Sequence, residues 1–176
     1  NIIGTDGDGT TDAAERNLLS GNTVFGIVIL NDTNTVAGNL IGVASTGTAS
    51  LSNTNGVYVA AGSYNVIGTD GDGSGDASEI NVISGNTNFG VQLGNTWGSN
   101  NIVSGNYLGT NTTGTAAMAN GYGLYLSTGG GSRIGTNDDG ISDTLERNII
   151  SGNTNDGIYV VSNTNTITGN FIGTAA

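Results

Sequence analysis

Twelve of the chain's 14 carboxylates fall in three 11-residue segments, TDGDGTTDAAE at 5–15, TDGDGSGDASE at 69–79 and TNDDGISDTLE at 136–146. Only Asp32 and Asp156 lie elsewhere. The first segment places Asp6, Asp8, Asp12 and Glu15 in the spacing D-x-D-G-x-x-D-x-x-E, and the second repeats it with Asp70, Asp72, Asp76 and Glu79. The third keeps Asp139, Asp143 and Glu146 but has Asn137 where the others have Asp6 and Asp70, and Asp138 in the place of Gly7. Four carboxylates in one turn repel one another, and the adjoining cations are Arg16 and Arg147, with Ile80 at the corresponding place in the middle copy. Coordination of a hard cation relieves such a cluster: Ca²⁺ accepts about 6–8 oxygens, so four side chains with backbone carbonyls and water suffice. The competing arrangement is a solvated turn whose Asp side chains accept hydrogen bonds from their own backbone.

The spacing resembles calcium loops of repeat proteins, in which carboxylates at alternating positions converge on one ion and glycine permits the turn. Ca²⁺ is the expected cofactor, with Asp6, Asp8, Asp12, Glu15, Asp70, Asp72, Asp76, Glu79, Asp139, Asp143 and Glu146 as the metal-ligating set.

The rest of the composition restricts partners. Net charge is −11, the three basic residues are all Arg, and there is no His. Without a basic patch to neutralise phosphates, neither nucleic acid nor an anionic membrane is an expected partner. The lack of Lys and His also speaks against the acid–base chemistry of polysaccharide lyases and hydrolases, so catalysis is not expected. No Cys is present, which excludes disulfides and thiol chemistry, and no apolar run approaches a membrane span.

What positions the acidic segments is a repeat. A phrase Asn-x-aliphatic starts at Asn1, Asn17, Asn34, Asn39, Asn65, Asn81, Asn101, Asn106, Asn148, Asn165 and Asn170, with Ser132 in the Asn place once. A second phrase, Gly-aliphatic-x-aliphatic, starts at Gly26, Gly56, Gly90, Gly123 and Gly157, steps of 30, 34, 33 and 34 residues. The step between the two Asn phrases is 5 residues from Asn34 to Asn39 and 16 from Asn65 to Asn81; the next step to Gly is 17 from Asn39 to Gly56 and 9 from Asn81 to Gly90. An 11-residue insertion at one corner, the acidic segment, therefore alternates with an 8-residue insertion at the next, upon a basic cycle of about 22 residues.

Three short strands per cycle cannot bury their apolar faces alone, but stacked as coils they can. The inward positions are aliphatic throughout: Ile3, Val36, Ile67, Val103, Ile134 and Ile167 on one face, Leu19, Ile41, Ile83, Leu108, Ile150 and Ile172 on the next, and pairs running from Ile27 and Ile29 to Ile158 and Val160 on the third. Stacked Asn amides can hydrogen-bond along the corners. The expected fold is all-β: a right-handed single-stranded parallel β-helix, a solenoid of five to six coils forming one domain over 1–176, with essentially no helix.

Phrases such as ERNIISGNTNDGIYV and GNYLGTNTTGTAAMANGYGLYL resemble the right-handed parallel β-helix repeats of the pectate-lyase-like kind, found in tandem in large secreted bacterial proteins, over the whole chain. The resemblance implies the fold and an extracellular or cell-surface location, but little about activity.

The outward faces suggest partners. The Gly phrases present Val28, Tyr58, Gln92, Tyr125 and Tyr159, either a strip for stacking on polysaccharide rings or plain packing between coils. The second Asn phrases present Leu18, Leu40, Val82, Tyr107, Ile149 and Phe171, a stripe either covered by the insertions carrying Leu51 and Met118 or free as a contact surface. No outward series supplies Thr in every coil, as an ice-binding face would. The chain opens within a coil and stops where an 8-residue insertion is due, so the expectation is a segment of a longer array or a protomer that self-associates end to end. The functional expectation is a calcium-stabilised structural or adhesive module, with carbohydrate binding as the alternative.

Overall fold

The computed structural model describes residues 1–174, with 95–97 described by their backbone alone. Aliphatic residues alternating with small polar ones give short extended runs, and Asn and Gly break each run at a corner. The first coil holds β1 (Ile2–Gly4), β2 (Leu18–Leu19) and β3 (Phe25–Ile29); the second β4 (Thr35–Ala37), β5 (Leu40–Ile41) and β6 (Asn55–Val59); the third β7 (Val66–Gly68), β8 (Val82–Ile83) and β9 (Phe89–Ser99). The fourth holds β10 (Ile102–Ser104), β11 (Tyr107–Leu108) and β12 (Tyr122–Gly130), the fifth β13 (Arg133–Gly135), β14 (Ile149–Ile150) and β15 (Ile158–Val160), and β16 (Thr166–Thr168) and β17 (Phe171–Ile172) begin a sixth.

Each strand pairs in parallel with its counterparts one coil before and after, giving sheets β1-β4-β7-β10-β13-β16, β2-β5-β8-β11-β14-β17 and β3-β6-β9-β12-β15. The fold is thus a parallel β-solenoid of about five turns, all-β as expected. The register is the one the repeats require: Ile3 lies beside Val36, Leu19 beside Ile41, and Ile27 beside Val57. Those ladders form one continuous core, buried from Ile27 to Ile150, with Ile3, Leu19 and Ile158 partly buried against it. Val160 at the end of the fifth coil and Ile167 and Ile172 on the sixth are exposed.

Three Asn ladders, not two, run along the solenoid. Asn17, Asn39, Asn81, Asn106, Asn148 and Asn170 each pass a side-chain amide hydrogen bond to the next, at 2.8–3.1 Å. Asn1, Asn34, Asn65 and Asn101 do the same until Ser132 interrupts them, its backbone N–H donating to Asn165. The third ladder, Asn22, Asn53, Asn86, Asn120 and Asn153, stands before the Gly phrases. Its members precede those glycines by three or four residues in turn, which hides the period in the sequence. The ladders need close coil-to-coil approach: Gly68, at φ +102°, leaves no room for a Cβ against the Ser104 carbonyl of the next coil.

The 8-residue insertions at 43–50 and 110–117 fold as small flaps closed by antiparallel bridges, Val43 to Ser50 and Thr110 to Ala117. They settle the apolar stripe. Leu40, Val82 and Tyr107 pack with Val43 and Met118 in a second cluster, whereas Leu18, Leu51 and Phe171 remain exposed. The stripe is covered in its middle and open at its ends.

Candidate metal centre

Each acidic insertion leaves the solenoid at the corner between the first and second sheets: between β1 and β2, β7 and β8, and β13 and β14. A threonine organises it. The Thr5 hydroxyl donates to Asp12 Oδ1 at 3.0 Å and accepts the Gly7 N–H at 3.1 Å. Thr69 does the same for Asp76 and Gly71, and Thr136 for Asp143 and the Asp138 amide. The loop then tightens through Asx turns, with Asp8 N donating to Asp6 Oδ1 and Thr10 N to Asp8 Oδ1 in the first copy, and Asp72 N to Asp70 Oδ1 and Ser74 N to Asp72 Oδ1 in the second. A single helical turn follows, α1 (Asp12–Glu15) and α2 (Asp76–Glu79), which the strand periodicity did not foresee.

These constraints turn three carboxylates inward on one point. One oxygen each from Asp6, Asp8 and Asp12 lie within 4.8 Å of one another, and so do those of Asp70, Asp72 and Asp76. Asp12 and Asp76 are buried, whereas the other four face solvent. The Asx bonds use Oδ1 of Asp6, Asp8, Asp70 and Asp72.

The glutamates stand apart from these triads. Glu15 Oε2 accepts from Asp6 N at 3.3 Å, Glu79 Oε2 from Asp70 N at 3.2 Å and Glu146 Oε2 from Asn137 N at 2.9 Å. Each braces the loop from behind. In the third loop Asn137 Nδ2 donates to Asp139 Oδ2 at 2.9 Å, Asp143 bonds Thr136 and Gly140, and no third carboxylate joins Asp139 and Asp143 among the described residues.

The arginines are placed differently from their sequence neighbourhoods. Arg16 Nε donates to the Gly38 carbonyl at 2.8 Å and Arg147 lies over the Phe171 ring at 5.5 Å. The one ion pair among the described residues joins Arg133 to the fully buried Glu146, at 2.9 Å, and no ion pair reaches either triad.

Burial and mutual repulsion show in the second loop. Burial, with the charges of Asp70 and Asp76, pushes the Glu79 carboxyl from 4.5 up to about 7. Burial, then Asp72 and Asp76, raises Asp70 as well. A site that disfavours its own charges in this way is one that a cation would stabilise.

The outward tyrosines form stacks along the solenoid. Phe25 and Tyr58 stack at 5.3 Å, Phe89 and Tyr125 at 4.8 Å, and Tyr125 and Tyr159 at 5.1 Å, with interplanar angles of 16–20°. Their faces are taken by one another, and a sugar lying on the sheet would meet mostly ring edges.

Among the described residues no helix is long and apolar enough to cross a membrane. No protein-family model, curated protein or solved structure matches the chain.

Proposed function

We propose that the chain is a structural module: a β-solenoid segment of an extracellular or cell-surface protein, stabilised by Ca²⁺ bound in its acidic loops and extended by neighbouring repeats or further copies. The observation that carries this reading is the pair of aspartate triads, Asp6/Asp8/Asp12 and Asp70/Asp72/Asp76, each converging within 4.8 Å with no ion pair to a basic side chain among the described residues. Oxygen-only donors on a turn suit a hard cation, with loop carbonyls and water completing the shell. The ion would hold both arms of the loop to the solenoid corner, since Asp12 and Asp76 belong to the helical turns and the other ligands to the Asx turns. Calcium outside cells reaches millimolar levels, enough to fill such sites. The resemblance of the repeats to pectate-lyase-like β-helices of secreted bacterial proteins supports the same location, and the lack of His and Lys in the chain fits a scaffold rather than a catalyst.

The test is isothermal titration of the chelator-treated chain with CaCl₂. Two ions per chain are expected, falling to one in Asp8→Asn and in Asp72→Asn, and to none in the double variant. Absence of binding heat from the parent chain at several temperatures would refute the reading.

A further inference from the structure

The three acidic loops are stacked on one another through a joint in which a glutamate of one loop fills a space left by glycine in the loop before it. Glu79 of the second loop lies against Gly7 of the first, and Glu146 of the third against Gly71 of the second; a Cβ at Gly71 would stand 2.5 Å from Glu146 Oε1, and one at Gly7 closer still to Glu79 Oε1. A backbone bond accompanies each joint, Gly38 N donating to Glu79 O and Gly105 N to Glu146 O, both at 2.7 Å. The Ser142 hydroxyl adds a bond from the third loop to Asp76 of the second. The joint buries the glutamates it uses: Glu79 is 5% exposed and Glu146 0%, whereas Glu15, which meets no preceding loop, is only half-buried.

In the third loop the corresponding residue is Asp138. Its φ of +62° matches +73° at Gly7 and +78° at Gly71, and its amide bonds Thr136 Oγ1 as theirs bond Thr5 and Thr69. The backbone is the same, so the Asp138 side chain projects into the space that a glutamate fills in the first two loops. A carboxylate there meets an incoming carboxylate with both a steric overlap and a like charge.

We infer that Asp138 is a stop that ends the acidic-loop stack: it bars the Asp12–Glu15 turn of a second copy from seating on the third loop. The joint it blocks is the one the chain makes twice within itself. Any end-to-end association of the parent chain therefore rests on its strand edges, without the loops.

The inference does not depend on bound metal, so its test is run in chelator. In sedimentation velocity, Asp138→Gly should self-associate at concentrations about tenfold or more below those at which the parent does, and Asp138→Gly combined with Glu15→Ala should return to parent behaviour. Glycine at a φ of +62° keeps the fold, which circular dichroism verifies. Gly71→Asp, which places the same side chain in an occupied joint, should lower the melting temperature, whereas Asp138→Gly leaves it unchanged. Identical sedimentation of Asp138→Gly and the parent, association insensitive to Glu15, or an unaltered melting temperature in Gly71→Asp would each overturn it.

Discussion

The backbone N–H of Asp70 donates to Glu79 Oε2 at 3.2 Å, which ties a buried carboxylate to the first residue of the second aspartate triad. Burial and the neighbouring aspartates hold that carboxyl at about 7 against an ordinary 4.5. The folded metal-free chain thus keeps a proton that the unfolded chain releases. Because the folded state binds more protons across this window, stability falls as pH rises from about 4.5 to about 7. The raised Asp70 adds a contribution of the same sign. Thermal melts in chelator should show this decline, and Glu79→Gln should flatten it. A parent chain whose chelator-treated melting temperature climbs steadily from pH 5 to 7 would contradict the placement of Glu79.

The third loop makes a gain-of-function prediction. Asn137 already accepts the Asp139 amide at 3.1 Å, as Asp6 accepts that of Asp8 at 3.2 Å, so the backbone turn that presents a ligand at this position is in place. Asn137→Asp should complete a triad with Asp139 and Asp143 and raise the calcium stoichiometry from two to three. An unchanged stoichiometry would show that the third loop's geometry, rather than its missing carboxylate, excludes the ion.

Asn81 sits mid-ladder with its side-chain amide donating to Val36 O at 2.7 Å and Asn106 Oδ1 at 2.9 Å, while its Oδ1 accepts from the Asn39 backbone N–H at 2.9 Å. Asn81→Ala orphans those buried groups, at about 1–3 kcal/mol each when truly unpaired. Chemical denaturation should register a loss of at least about 3 kcal/mol. The same change at Asn22, exposed on the first coil, should cost about 1 kcal/mol or less.

The core makes a parallel contrast. Ile83 is 0% exposed in the third coil, and Ile83→Ala should cost about 2–5 kcal/mol through lost burial and the cavity left behind. Ile172 holds the equivalent inward position in the sixth coil but is 46% exposed, so Ile172→Ala should cost well under half as much. Equal losses would mean that the last coil is covered in solution.

How much of this was legible in the sequence follows the range of the interactions. The inward series from Ile3 to Ile167 and from Leu19 to Ile172 depends on a local period and is found in register as expected. The ladder from Asn22 to Asn153 was hidden because its members change their distance to the next glycine. The loop spacing D-x-D-G-x-x-D-x-x-E shows Glu15 and Glu79 beside the aspartates, but not that each accepts from the loop's first amide. Nor could it see that Glu79 is held by Gly7, a neighbour made by two intervening turns of the solenoid. Arg133 was likewise passed over as the cation of the third loop: it is distant in sequence from Glu146 and adjacent only once β13 forms the edge of the corner.

The central claim is that the acidic loops are stabilised by calcium, and a pair of melting curves tests it most directly. At about 1 mM Ca²⁺ and a Kd near ~10 µM, each of two sites adds about 2.7 kcal/mol to the folded state. For a chain of this size that corresponds to a melting temperature about 10–20 °C higher in calcium than in excess chelator, a difference absent from the Asp8→Asn/Asp72→Asn double variant. Superimposable curves for the parent chain in millimolar calcium and in chelator would contradict the account.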